Sequence, residues 1–333
     1  MIPQSQIARR LHDMKTLAVT ILLVSLGVHA TFSQTPRTAE DYNNRGLERQ
    51  GKGDIEGAID DYTKAIALKA RPNTIAIAYN NRANARMSKS DLEGAISDYS
   101  KAIEIQPDEP ENFYNRGVAR LAKGDNDGAI EDFSRTTEIS PRFPLAYNNR
   151  GNARKAKGDA DGAIADYSKA LAQNPRYAEA FYNRGVALQG KEDFDGAISD
   201  YSAALELSPS FTDAYVNRGQ ARQSKHDFDG AIADYDAALK LKTDEAGIYF
   251  ARATARHAKK DLNGALADYS RTIELDPGSA LALANRAVIE TLQGRGAQAD
   301  QDFDKAFKID PSLKAQFKEF IENRRRGNPK PDR

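Results

Sequence analysis

The chain has 333 residues, with 48 basic and 48 acidic side chains, four His and no Cys. Without cysteine there are no disulfides, thiolate metal sites, iron–sulfur clusters or Cys nucleophiles, and the balanced charge leaves no global field that draws a protein to nucleic acid or an anionic membrane. A chain of this length holds either several domains or one long repetitive domain.

At the N-terminus, Arg9, Arg10 and Lys15 precede an apolar run over residues 17–28, and the stretch ends in Val28-His29-Ala30. A short apolar run behind basic residues, closed by such a triplet, is the pattern of a secretory signal peptide, whereas a stable membrane span needs about 20 apolar residues. Residues 1–30 are therefore expected to be a leader that sends a bacterial protein to the periplasm or beyond. Met14 is a candidate true start, and a retained anchor is the alternative. Residues 31–38 form a short lead-in.

From residue 39 a repeat takes over. An Asn-Arg phrase places Arg45, Arg82, Arg116, Arg150, Arg184, Arg218, Arg252 and Arg286 at one step of 37 residues followed by six of 34. A Gly-Ala-Ile phrase, from Gly57 through Gly94 to Gly264, keeps the same steps. Eight units thus fill residues 39–313. In one of them, residues 145–157 put Tyr147, Gly151 and Arg154 on a helical stripe that Gly158-Asp159 ends. Asp159 is placed to cap a second helix over 160–173, where Ala163, Ile164, Tyr167, Ala170 and Leu171 recur at spacings of three and four. Neither helix can bury its stripe alone, so neighbouring units must stack. After the last unit, residues 312–323 bring Leu313, Phe317, Phe320 and Ile321 to one side, as a capping helix over the eighth pair. Residues 324–333, five of them basic, read as a solvated, disordered tail.

This pattern resembles the tetratricopeptide repeat family, a 34-residue helix–turn–helix unit. The opening aromatic recurs from Tyr42 and Tyr79 to Tyr249. The small contact residue recurs from Gly46 to Ala287, and the second helix supplies Ala58 and Tyr62 and their counterparts down to Ala299 and Phe303. The resemblance implies an all-α fold, a right-handed superhelical solenoid of eight helix–turn–helix repeats.

Two columns depart from the family. Where it has an apolar residue, every unit carries the Arg named above, and six add a second one turn later: Arg49, Arg86, Arg120, Arg154, Arg222 and Arg256. The second helices answer with Asp61, Asp98, Asp132, Asp166, Asp200, Asp234, Asp268 and Asp302. A planar guanidinium beside a carboxylate at eightfold recurrence predicts a structural ladder of ion pairs between packed helices.

The other column is Asn44, Asn81, Asn115, Asn149, Asn183, Asn217 and Asn285, interrupted by Ala251. In family members with long arrays this column faces a concave groove and bonds the backbone of an extended peptide, a task suited to an amide that both donates and accepts. The resemblance places Asn80, Tyr114, Asn148 and Tyr182 beside it, with Asn152 one turn on. The cationic clamp of some relatives is missing from this nearly uncharged groove.

No catalytic motif is present. His226 and His257 are not repeated and read as incidental. The expected function is a non-catalytic scaffold that holds a protein or peptide segment, with no cofactor, metal, nucleic acid or stable membrane span. The alternatives are a targeting or regulatory subunit of a separate enzyme or of an envelope-assembly or secretion complex, and an envelope element binding through its convex face.

Overall fold

The computed structural model describes residues 36–325. The expected leader (residues 1–30) and most of the expected tail lie outside the described residues. Those that are described form eighteen helices and no strand. They fall into two compact bodies, one ending at Ala153 and one beginning at Arg154.

The first body holds α1 (Ala39–Gly51), α2 (Ile55–Ala67), α3 (Pro72–Ser88), α4 (Leu92–Ile105), α5 (Pro110–Lys123), α6 (Asn126–Ile139) and most of α7 (Pro144–Ala156). The second holds α8 (Ala160–Gln173), α9 (Ala178–Gly190), α10 (Phe194–Leu207), α11 (Thr212–Ser224), α12 (Phe228–Leu241), α13 (Ala246–Ala258), α14 (Leu262–Leu275), α15 (Ala280–Leu292), α16 (Gly296–Ile309), α17 (Leu313–Gln316) and α18 (Lys318–Arg325). Odd-numbered helices up to α15 open a repeat and even-numbered ones close it. The 37-residue step is absorbed by α3, which runs for 17 residues from a Pro at its first position.

Each second helix from α2 to α14 starts on an Asp. The carboxylates of Asp54, Asp91 and Asp125 in the first body, and of Asp159, Asp193, Asp227 and Asp261 in the second, accept the backbone N–H three residues on at 2.9–3.0 Å. Such a cap satisfies a donor the helix cannot use itself, typically worth about 1 kcal/mol. The donor is always Gly, because a Cβ there would overlap the capping carboxylate. In α16 both features lapse together: Arg295 stands at the cap without a side-chain capping bond, and Gln298 replaces the Gly.

The turn before each cap needs one left-handed residue. Gly53, Gly124, Gly158 and Gly294 supply it, but Ser90, Glu192, His226 and Lys260 adopt the same conformation at φ of 61–68°. A side chain is strained there. Replacing Ser90 or Lys260 by Gly is expected to stabilise the protein by about 1 kcal/mol, readable as a higher urea midpoint.

The core is built from small residues and rings. Ala58, Tyr62 and Ala65 in α2 are fully buried, as are Ala231, Tyr235 and Ala238 in α12. Such side chains let helices approach closely and repeat the same contacts in every unit.

The C-terminus corrects one expectation. The single helix anticipated over residues 312–323 breaks at Phe317 into α17 and α18, and α18 continues to Arg325, so the backbone of residues 324 and 325 is helical rather than part of a disordered tail. The break lets Phe317 and Phe320 both reach the Phe303 ring, with centroids 5.8 and 6.4 Å away, while Leu313 is buried beside them. Leu313 and Phe320 join the buried cluster of the eighth pair, with Leu283, Val288 and Phe303.

Candidate binding face and its ion-pair ladder

The Arg and Asp columns meet as forks. In the first body, Arg45, Arg82 and Arg116 each donate through Nε and Nη2 to the two oxygens of Asp61, Asp98 and Asp132, at 2.5–3.0 Å. In the second, Arg184, Arg218, Arg252 and Arg286 do the same to Asp200, Asp234, Asp268 and Asp302, at 2.6–3.0 Å. The Asp bond pushes the Arg184 and Arg286 guanidinium groups above their ordinary value, so both stay cationic.

The second Arg adds a third contact to the same carboxylate. Arg49, Arg86 and Arg120 lie 2.8–3.0 Å from Asp61, Asp98 and Asp132, and Arg154, Arg222 and Arg256 lie 2.8 Å from Asp166, Asp234 and Asp268. The same guanidinium donates to the carbonyl of the capping-site Gly, as in Arg86 to Gly94 at 3.1 Å. In the eighth repeat Glu290 takes this place. It is buried, and burial, followed by Asp302, pushes its carboxyl above the ordinary value; its Oε2 has no hydrogen-bond partner among the described residues.

The first Arg also reaches backwards. Its Nη1 donates to a hydroxyl on the second helix of the preceding repeat: Arg116 to Ser100 and Arg150 to Ser134 at 3.0 Å in the first body, Arg218 to Ser202 at 2.9 Å in the second. It also lies near the opening aromatic, with Arg82 5.5 Å from the Tyr79 centroid and Arg218 5.6 Å from that of Tyr215. The ladder thus ties helix to helix within a repeat and repeat to repeat within a body.

The Asn column is half occupied by its own neighbours. The amide of Asn81 donates to Asn43 at 2.9 Å, that of Asn149 to the Tyr114 hydroxyl at 3.0 Å, and that of Asn217 to the Tyr182 hydroxyl at 3.0 Å. Each bond joins adjacent first helices. An amide carries two N–H donors and a carbonyl, so the column stitches while retaining capacity for a ligand. Asn44 is exposed, and Asn115, Asn183 and Asn285 are half-buried.

Two residues expected in peptide binding are already engaged in internal bonds. Asn148 is only 4% exposed and donates to Asn149 at 3.3 Å. Asn80 sits in a relay in which the Tyr99 hydroxyl donates to Asn84 at 2.6 Å, Asn84 to Asn80 at 3.1 Å, and Asn80 to Asn112 at 2.6 Å. Tyr114 and Tyr182 are half-buried, packed at a tilt against Phe143 and Phe211 with ring centroids 5.0 and 4.6 Å apart. Asn152 is half-buried on the first helix α7.

Sequence reasoning missed the partners of the core tyrosines. The hydroxyls of Tyr62, Tyr201 and Tyr235 donate to Gln50, Gln189 and Gln223 at 2.8–3.3 Å. Burial pushes all three above the ordinary value, so they act as neutral donors. The signal was present: Gln stands twelve residues before each of these Tyr, and where the ring loses its hydroxyl, at Phe133, the corresponding residue is Leu121.

His257, on α13, is half-buried, and burial lowers its pKa below the ordinary 6.5. The folded state therefore favours the neutral ring. That contribution to stability is complete above pH 6.5 and is lost as the pH falls through the depressed folded value. An NMR titration should place its midpoint below 6.5, and His257→Gln should lessen the acid sensitivity.

No group of three or more potential metal ligands, and no helix long and apolar enough to cross a membrane, occurs among the described residues. A TPR repeat profile matches residues 83–124, 119–158 and 151–192, and tetratricopeptide repeat profiles match 40–72, 178–211 and 216–280. The chain belongs to the tetratricopeptide repeat family. Among solved structures it is similar to a tetratricopeptide repeat protein from Parabacteroides merdae, at 16% identity over 81% of this chain and 98% of that one, with a TM-score of 0.56. It is also similar to the C-terminal part of a TPR repeat-containing protein from Cytophaga hutchinsonii, at 20% identity over 72% and 97%, with a TM-score of 0.60. These likenesses bear on the fold. The structure of YrrB, described as a TPR protein with an unusual peptide-binding site, is 26% identical over 60% of this chain and 97% of that one, with a TM-score of 0.49. No curated protein matches the sequence. Tetratricopeptide repeats support the role of a protein-interaction scaffold.

Proposed function

We propose that this chain is an exported, non-catalytic scaffold that holds an extended segment of a partner protein on the face lined by its first helices. The observation that carries this reading is the separation of charge from that face. The Asp column and its Arg partners satisfy one another between the helices, while the first helices present amides, rings and Val side chains with hydrogen-bonding capacity in reserve. Such a surface bonds peptide groups without demanding a charged side chain. Export rests on the leader pattern over residues 1–30.

The test separates stitching from binding. A photo-crosslinker at the exposed Gln220, in the exported protein of its host, is expected to capture a partner. Replacing Asn115, Asn149 and Asn183 together by Ala should weaken that partner's binding about tenfold or more, the loss of two or three amide bonds. Tyr114→Phe removes the internal bond to Asn149 alone and should cost about 1 kcal/mol of stability with binding intact. Undiminished binding by the triple variant counts against the reading.

A further inference from the structure

The break in the Asn column is a site in its own right. The stitches Asn149 to Tyr114 and Asn217 to Tyr182 both span 35 residues between neighbouring first helices. Counted the same way, residue 251 answers to Val216, which has no polar atom to accept an amide, and residue 251 is Ala. One turn earlier on α13, Gly247 has open space where a side chain would stand. The missing side chains leave a pocket of about 460 Å³ between α11 and α13, with Tyr235 of α12 beneath it.

Its chemistry is specific. Phe250 forms an aromatic wall, held edge-on to Tyr269 with centroids 5.7 Å apart. Below it, Gln223 accepts from the Tyr235 hydroxyl and donates to Thr254, each at 3.3 Å, and Thr254 donates to the Ala251 carbonyl at 2.7 Å. No Asp, Glu, Lys or Arg lines the pocket. A charged group seated there would find no opposite charge among these lining residues. An aromatic ring would gain apolar burial and a favourable edge or offset contact with Phe250. At the rim, Gln220 and Ser224 offer amide and hydroxyl groups to the peptide bonds on either side of it.

We infer that this pocket is the anchor of the binding face, taking an aromatic side chain, Phe or Tyr, from the middle of an extended partner segment. The inference rests on the reading that the first-helix face binds such a segment. At Asn81, Asn149 and Asn217 the column stitches first helices together; Ala251 has no side chain to do so, and the opening beside it admits a ring.

The experiment is a selection of random peptides displayed on phage against the wild-type protein and two variants that fill the pocket. Ala251→Asn restores the residue found at this place in the other seven repeats, and Gly247→Leu introduces a side chain where a Cβ meets nothing within 4 Å. Unchanged melting curves establish that the variants fold. Peptides enriched on the wild type should share a central Phe or Tyr. Synthetic copies should bind about tenfold more weakly to either variant, and replacing the aromatic residue by Ala should cost the same factor on the wild type but little on the variants. If the same peptides win on all three proteins, or if the Ala copy binds the wild type equally, the pocket is not an anchor, although the face still binds peptide. If nothing is enriched on the wild type, the reading of the face falls as well.

Discussion

Asp98→Ala is expected to cost about 3–5 kcal/mol of stability, the range for removing one partner from a buried ionic cluster. Asp98 is 3% exposed and receives the fork of Arg82 at 2.7 and 2.8 Å together with Arg86 at 2.8 Å. Removing it leaves two guanidinium groups facing each other across a space that water enters poorly. A whole domain is commonly stable by only about 5–15 kcal/mol. Because each repeat leans on its neighbours alone, the damage should be local: amide hydrogen exchange in α3 and α4 accelerates most, and the thermal transition moves down and broadens. Lys64→Ala provides the scale. Its partner Asp60 is exposed, as Lys64 is, and such pairs contribute about 1 kcal/mol or less. A shift for Asp98→Ala no larger than that for Lys64→Ala would show that the ladder is ornamental. Replacing Arg82, Arg86 and Asp98 together by apolar residues should be milder than the single change, since no charge is then left stranded.

Gly219→Val carries the second large effect, a loss of about 3 kcal/mol from overpacking. A Cβ at Gly219 would lie 2.8 Å from the nearest ring atom of Tyr235. That ring is fully buried and its hydroxyl is engaged by Gln223, so it yields only by giving up both contacts. Ala should be nearly neutral. Repeats two, seven and eight already carry Ala83, Ala253 and Ala287 at this place, and the gain in helix propensity over Gly, about 1 kcal/mol, offsets a small displacement of the helices. Val adds two methyl groups that the closely packed pair of α11 and α12 cannot admit. Urea unfolding of the three proteins gives the comparison, and a Val variant as stable as the Ala variant would refute the account.

The sequence discloses what recurs. Helix pairs, Asp caps and the Arg–Asp forks repeat at a fixed period, so one repeat read correctly describes the rest. Tyr147, Gly151 and Ala163 locate the stripes, and Asp166 marks the ion-pair column. Contacts between repeats are harder to read, because they depend on which side chains the helix rotation brings together. The Asn column is visible as a column, yet the bond from Asn149 to Tyr114 links residues 35 apart, one more than the repeat. Asn80 belongs to an outward stripe when one repeat is read alone, yet its amide is taken by Asn112 of the next repeat. The C-terminal break has no local warning: no Pro or Gly falls within residues 312–323, and the cause is the pull of two rings toward Phe303. The Gln–Tyr pairs were legible only as a twelve-residue correspondence between different helices, a period shorter than the repeat.

The backward bond from a first Arg to the preceding repeat, to a hydroxyl in most repeats and to the Asp236 carboxylate from Arg252, has a consequence for how the gene can change. Arg116 finds Ser100, and Arg218 finds Ser202, each 16 residues back. Either junction is the same lock and key, so excising or duplicating one interior period of 34 residues rejoins a donor to an acceptor of the same kind. A loss of any other length puts Arg opposite the wrong face. The last repeat keeps this backward bond, Arg286 to Ser270 at 3.1 Å, but has Glu290 for the second Arg and Gln298 for the cap-site Gly, so it does not stand in for an interior unit. The array can therefore grow and shrink from its interior, in whole words, while its final word stays in place.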